Sequence, residues 1–514
     1  MKKITIILFS TLLITGMSCK KYLDDAYLNP NNPSMATPEE VLPSIIANMH
    51  RGIAFDARMM GPMTQYYAIT SSNNAWERHG YAPGSDAGGE IWRMHYWNFG
   101  WNILDMIRNA NNTGKHGYTA VAYTALAWGW LNVADYHGEA ILKQAFERDR
   151  LQFSYDKQEE IYPHVISIVD SAIAAFALAG STPLSAGDQY FYGGDLSKWK
   201  KFAYGVKAKA YHRYFNKANY KPDSVIKYVD LSLASTADDA LVRFNPAPPD
   251  ATGYNFYAPI RNNFGTFRAG AFPINLMNGT IFTGAAADPR LRYIFKPSGN
   301  GSFYGLSHNQ GDIVSTTQRP PNFWGFAGVY AAPAGGVDTG ARTYFKNVSP
   351  FPIMTYAELQ FLKSEAAFKK GDNAGALAAY KNGIRGNMDM LSTHFTGYLN
   401  FTSTQRDAYV NDPIISPATL TRKMILLQKY IALWGWGFVE TWVDLRKENY
   451  DVTNIYTGYT IPTGLALFPD NSGKLCYRVR PRYNSEYLWN VESLRAIGAL
   501  NPDYHTYPVW FSKP

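Results

Sequence analysis

Residues 355–388 read TYAELQFLKSEAAFKKGDNAGALAAYKNGIRGNM. Thr355 with Glu358 three positions on forms a capping box, in which the hydroxyl takes a free amide of the first turn and the carboxylate reaches back to the cap. Tyr356, Leu359, Leu362 and Ala366 then fall on one face at helical spacing. Gly371-Asp372 stops that helix, and Leu377, Tyr380, Ile384 and Met388 mark the buried face of a second one. Two helices joined by so short a turn fold back on one another.

That pair resembles a tetratricopeptide unit, with Ala366, Gly371, Ala376 and Tyr380 fitting the pattern of a Gly-centred turn and a close contact. Working outward, hydrophobic spacing predicts helices at 37–50, 59–69, 90–111, 119–136, 156–178, 195–215 and 223–234. The segments 119–136 and 156–178 form a second candidate pair. A long apolar helix is expected over 417–446. Residues 71–89 are polar and Gly-rich and read as a loop. From 241 to 350 helical periodicity fades under Gly, Pro, Asn and aromatics, which predicts irregular structure with short strands and a short helix starting at Asp288-Pro289. The last seventy residues are loop-rich again. The expected fold class is mostly α.

Hydrophobic residues make up 46% and charged residues 18% of the 514 positions, a globular composition and not a disordered one. The net charge of +8 is scattered, with no basic stripe and no nucleic-acid motif, so no nucleic-acid partner is expected. Cys19 and Cys476 make no disulfide framework and no zinc spacing. His137 lies near Asp135 and Glu139, but at a helix end, where polar caps are common, and no metal is assigned. GxSxG, HExxH, P-loop and GxGxxG patterns are absent. Glu159-Glu160 and Asp238-Asp239 read as solvated faces, and nothing points to a glycosidase carboxylate pair.

The N-terminus carries its own signal. Lys2 and Lys3 precede an apolar run from Ile4 to Ile14, too short to span a bilayer, and small residues then lead to Cys19. This reads as a signal peptide cleaved before a cysteine that becomes lipidated. Gly16 stands where such boxes usually have Leu. Acyl chains on Cys19 would anchor the protein at about 0.8 kcal/mol per buried CH₂. Lys20 to Asp25 and the Asn/Pro-rich stretch to Pro33 read as an extended tether. Cys476, left without a partner, reads as a small buried hydrophobe.

Aromatics are rich, with 37 Tyr and 13 Trp. Most are expected to pack between helices, among them Trp92, Tyr96, Trp101, Trp128, Trp434 and Trp442. Candidate ligand residues come from the loop, with Asn73, Trp76 and Arg78. The irregular segment adds Tyr257, Asn263, Arg268, Trp324, Phe326 and Tyr344. An aromatic face beside Asn or Arg donors suits a sugar, whose C–H face stacks while its hydroxyls bond.

Several ordered segments together resemble the SusD/RagB family, in its second SusD-like branch. They are Lys20 to Asp24, Gly193 to Ala203, Tyr356 to Leu359 with Ser364-Glu365-Ala366, Gln428 to Leu433, Trp442 to Arg446, and Arg480 to Tyr483. Arg482-Tyr483-Asn484-Ser485-Glu486 lacks the Pro that the family often has there. The resemblance implies tetratricopeptide-like helix pairs packed against an irregular, loop-rich ligand-binding half with short strands. It implies a non-catalytic outer-membrane lipoprotein, anchored through acylated Cys19, facing the cell exterior. Such proteins deliver oligosaccharide or peptide ligands to a SusC-like TonB-dependent transporter. Some members carry structural calcium; no Asp-rich loop here argues for it, and no cofactor is expected. The organisation then reads as signal peptide 1–18, lipidated tether 19–36, N-terminal helical part 37–240, irregular ligand-binding insertion 241–350 and C-terminal part 351–514. A secreted helical glycan hydrolase and an assembly or adhesion lipoprotein without a small ligand are the competing readings.

Overall fold

The computed structural model describes residues 36–81, 84–180, 183–313, 315–327, 331–395 and 401–514. Cys19, the signal segment and nearly all of the tether lie outside these residues.

Helices carry the described chain. α1 (Pro38–Met63) starts as the sequence predicts: Thr37 caps it, Pro38 occupies its first position, and the Thr37 amide donates to Glu40 at 2.8 Å. It runs through the break expected after residue 50. Gly52 does not end it, because Gly52 lies against Met94, whose Sδ would sit 2.4 Å from an added Cβ. The predicted 59–69 helix is therefore the end of α1, and Tyr67–Ile69 turns into strand β1 instead.

The body follows as α2 (Glu90–Arg93), a π-helical turn (Met94–Phe99), α3 (Gly100–Asn112), α4 (His116–His137), α5 (Gln158–Leu178), α6 (Leu196–His212) and α7 (Pro222–Asp230). Successive members of α3 to α7 pack side by side. β2 (Ala240–Val242), β3 (Phe267–Ala269), α8 (Ala271–Met277), α9 (Pro289–Ile294) and β4 (Phe351–Met354) stitch the irregular segment into this body. β1 pairs antiparallel with β3, Tyr67 opposite Ala269, and β2 pairs antiparallel with β4 through a register shift.

α10 (Tyr356–Lys370) and α11 (Asn373–His394) form the helix pair expected from 355–388. Gly371 ends α10 in the left-handed region at φ 87°, where a Cβ would be strained. Ser364 Oγ donates to the Ala376 carbonyl at 2.8 Å, and Gly383 lets the Phe361 ring lie flat on α11.

After α12 (Ser403–Val410), the single helix expected over 417–446 is two: α13 (Arg422–Leu433) and α14 (Phe438–Lys447). Gly435 breaks it at φ 90°, and its carbonyl accepts from Tyr67 Oη at 2.7 Å. The broken link lets Trp434 turn into an aromatic core with Tyr67, Phe295 and Phe323. A short α15 (Val491–Ala496) closes the C-terminal segment.

Two further expectations change. Asp238 and Asp239 are buried, not solvated. Asp239 accepts the Tyr356 amide at 2.7 Å at the start of α10, and Asp238 pairs with Lys201 at 2.8 Å. Around His137, Asp135 pairs with Arg213 at 2.7 Å, Glu139 pairs with Arg478, and the His137 ring meets the Val479 carbonyl at 3.1 Å.

Asp135 and Arg213 belong to a buried ionic lattice between helices. Lys429 lies 3.0 Å from Glu365, 3.1 Å from Glu440 and 2.8 Å from Asp444. Lys447 bridges Glu365 and Asp444, while Arg213 reaches Glu440 at 2.5 Å. Lys209 joins Glu358 and Glu440. Burial alone would raise the Glu365 and Glu440 carboxyls, but the cations beside them outweigh it and hold both well below the usual range. Glu358 goes the other way, pushed up by its burial.

Candidate functional site

The residues proposed from the irregular segment are mostly interior. Tyr257, Arg268, Trp324 and Tyr344 are fully buried. Tyr257 stacks on Phe345 at 5.2 Å, Trp324 Nε1 donates to the Tyr257 carbonyl at 3.0 Å, and Tyr344 meets Phe395 at 4.8 Å. Arg268 donates to the carbonyls of Gly265 and Phe267, both at 2.9 Å. Burying these rings removes them from any ligand surface and gains the packing energy of large flat side chains. Asn263 is half-buried and donates to the Phe256 carbonyl, and Phe326 is partly exposed without joining a cluster of candidates.

In the 71–89 loop, Asn73 is exposed in the left-handed region and Trp76 packs on the core. Arg78 donates to the carbonyls of Leu465 and Leu467 at 3.0 and 2.8 Å, fastening two loops together. The structure does not gather these residues and those of 257–344 into one site.

It gathers others. A groove of about 590 Å³ is lined by Trp92, Arg93, Tyr96, Trp97 and Trp101. Ile141, Ala145, Phe146, Glu147 and Phe153 line it as well, together with Arg482, Ser485 and Glu486 from the C-terminal segment.

The π-helical turn builds the aromatic side. Its wider winding carries one residue more than an α-helical turn, so side chains leave the spacing of one buried stripe. Met94, His95 and Phe99 go inward. His95 sits 4.2 Å from the Trp130 ring and against Gly129, where a Cβ would meet His95 Nδ1 at 2.5 Å. Trp97 consequently points out and is 75% exposed, an unusual state for so large an apolar ring. Trp92 and Tyr96 stand 4.5 Å apart, and Tyr96 is held by its hydroxyl, which donates to the Ile141 carbonyl at 2.9 Å. Trp101 carries Arg148 over its face at 4.1 Å.

A second π-helical turn, Tyr483–Tyr487, carries Ser485 and Glu486 of the lining. Asn490 ties it to Phe153, accepting from the Phe153 amide at 3.0 Å and donating to the Phe153 carbonyl at 2.9 Å. Beyond the lining, Leu151, Leu488 and Trp489 are exposed next to these tied segments.

The polar groups suit holding more than cutting. Arg482 pairs with Asp86 at 2.8 Å and Arg93 lies 3.8 Å from Glu90, so both present donors from fixed positions. Glu147 is paired with Arg150 at 2.5 Å. Glu486 is buried, which raises its carboxyl, and its Oε2 accepts from Tyr155 at 2.7 Å and Asn490 at 2.9 Å. The chemistry on offer is aromatic stacking flanked by hydrogen-bond donors. Among the described residues no group of three or more His, Cys, Asp or Glu is arranged to hold a metal ion.

Sequence reasoning assigned Trp92, Tyr96 and Trp101 to the helix core. Trp92 is buried, but all three line this groove, and Trp97 went unnoticed. The signal was there: Trp92 and Tyr96 share one helical face, while Trp97 and Trp101 share another rotated by about 100°. Four such rings in ten residues exceed what one packed stripe absorbs.

Residues 30–459 match a family described as starch-binding and associating with the outer membrane. Solved structures share the fold. A SusD/RagB family protein from Bacteroides thetaiotaomicron is 21% identical, with a TM-score of 0.71 over 93% of this chain and 99% of that one. A chitin-binding SusD homolog from Flavobacterium johnsoniae is 18% identical, with a TM-score of 0.65 over 92% and 98% of the two chains. No curated protein matches the chain by sequence.

Proposed function

The chain belongs to the SusD-like family of starch-binding, outer-membrane-associated proteins, and from that premise we propose that it is a non-catalytic surface lipoprotein that captures a glycan in the Trp97 groove. Exposed Trp97, in a lining it shares with Trp92, Tyr96 and Trp101, is the observation that carries this reading. A sugar ring stacks its C–H face on such a ring, and Arg93, Arg482 and Ser485 supply donors to hydroxyls. An oligosaccharide suits the groove's size and mixed lining better than a peptide, which remains the second ligand class. In this reading acylated Cys19 anchors the protein on the outer face of the outer membrane, and a SusC-like TonB-dependent transporter receives the ligand. Both carboxylates of the groove are engaged by protein partners, which favours binding over hydrolysis.

Calorimetric titration with malto- and chito-oligosaccharides tests the site. Trp97→Ala should weaken binding roughly tenfold or more while leaving the thermal midpoint unchanged, since so exposed a ring leaves no cavity. Product release from either glycan, abolished by Glu486→Gln or Glu147→Gln, would replace this reading by the hydrolase one. Labelled palmitate should enter the wild-type protein and not Cys19→Ser.

A further inference from the structure

A second hollow, of about 330 Å³, lies between α1 and the segment after β2. Its lining is mostly apolar, with Pro43 and Ile46 from α1 and Phe244, Pro248, Tyr254 and Phe256 from the later segment. Its charged lining is Arg51, Arg243 and Arg261, and no Asp or Glu lines it.

The three arginines are incompletely neutralised. Arg51 reaches Glu90, outside the hollow, at 3.1 Å. Arg261 donates to the carbonyls of Ala251 and Thr252 at 3.3 and 2.7 Å, which orient it without cancelling its charge, and it lies 5.4 Å over the Phe256 ring. Asp250 is near Arg261 but exposed, and its carboxylate caps Thr252 at 2.7 Å. Arg243 has no ion-pair partner among the described residues. His50, also in the lining, is buried and supplies no opposite charge; its Nε2 accepts the Phe256 amide at 3.3 Å.

We infer that this hollow is a second binding site, separate from the groove, for a carboxylate carried on a flat apolar body, an aromatic acid. Guanidinium groups bind carboxylates through paired, charge-assisted hydrogen bonds. Apolar walls shed water from the body of the ligand and strengthen the ionic contact within the same small volume. The hollow and the groove are close, since Asn98, next to Trp97, donates to Asn48 of the hollow at 2.8 Å. An acid could thus arrive free or as a substituent on a captured polymer, and the first test uses the free form.

Calorimetric titration of the whole mature protein with benzoate, benzyl alcohol and glucuronate separates the elements of the proposal. Benzoate should bind at least tenfold more tightly than benzyl alcohol or glucuronate. Arg243→Gln and Arg261→Gln should each weaken benzoate at least tenfold. Arg243→Gln, at an exposed position, should leave both the circular dichroism and the oligosaccharide affinity of the groove unchanged. Equal binding of benzoate and benzyl alcohol, tighter binding of glucuronate, no binding at millimolar benzoate, or unaltered affinity in Arg243→Gln would each overturn the inference. None of the overturning results depends on whether the groove binds a glycan.

Discussion

Trp97 and Trp324 show how one residue type takes opposite roles in this chain. Trp324 is fully buried, with its indole N–H used on the Tyr257 carbonyl. Trp97 keeps three-quarters of its surface in water. Truncating a buried ring removes its transfer energy and leaves a cavity, so Trp324→Ala should cost about 3–5 kcal/mol, read from urea unfolding. A loss under about 1 kcal/mol would mean that the site collapses around the gap. The same logic demoted Tyr257, Arg268 and Tyr344 from ligand candidates: composition and spacing reveal an aromatic ring, but not which side of it meets solvent.

Among elements, the link between α13 and α14 departs most from the sequence reading. The apolar pattern over 417–446 continues across the break, because both helices are buried on most sides and hydrophobicity alone cannot register a turn. Gly435 holds a left-handed φ of 90°, and a Cβ there would come within 2.8 Å of the Tyr344 ring. Gly435→Ala therefore combines backbone strain with a clash and should destabilise by about 2 kcal/mol or more, measured as a lowered urea midpoint with secondary structure intact. The π-helical turn at Met94–Phe99 is the other element that spacing missed, and it is the one that turns Trp97 outward. By contrast α1 and α10 begin where their capping residues predict, because a cap is a local contact that needs no partner from elsewhere in the chain.

Across the whole molecule, the buried ionic lattice joins α4, α6, α10, α13 and α14. Such a lattice is weak evidence of net stability, yet removing one member strands the others. Lys429→Met would leave Glu365, Glu440 and Asp444 short of a cation and should cost about 3–5 kcal/mol in denaturant unfolding at neutral pH; a change below about 1 kcal/mol would show that the carboxylates take up protons instead. A pH response follows from the buried histidines. Burial pushes His50, His79, His95 and His137 down to about 3, and His212, His308 and His505 to about 4. Their unfolded forms titrate near 6.5, so between those values the unfolded chain binds more protons. Stability should fall as pH drops below 6.5, by about 1.4 kcal/mol per unit for each histidine held neutral. Asp56, raised by burial to about 8, Glu77 and Glu448, raised to about 7, and Asp188, Asp239, Glu358 and Glu486, also raised by burial, work in the opposite sense, their contribution being lost as pH rises through the raised values. With His164 and His394, also lowered by burial, the histidines outnumber these carboxyls nine to seven, so urea midpoints should decline from pH 6.5 to 4.5; a flat or rising profile would refute the assignment.

Three of the segments that resemble the SusD/RagB family, at 356–366, 428–433 and 442–446, carry lattice members: Glu358, Glu365, Lys429 and Asp444. That is why the sequence determined the helical pairs, the caps and the family. Buried charges tolerate few replacements, and helix periodicity and capping are written within a few neighbouring residues. The Trp97 groove was left to tertiary structure. Its walls come from residues near 95, 146 and 485, and exposure of a ring depends on what distant chain fails to cover it. No local spacing records that.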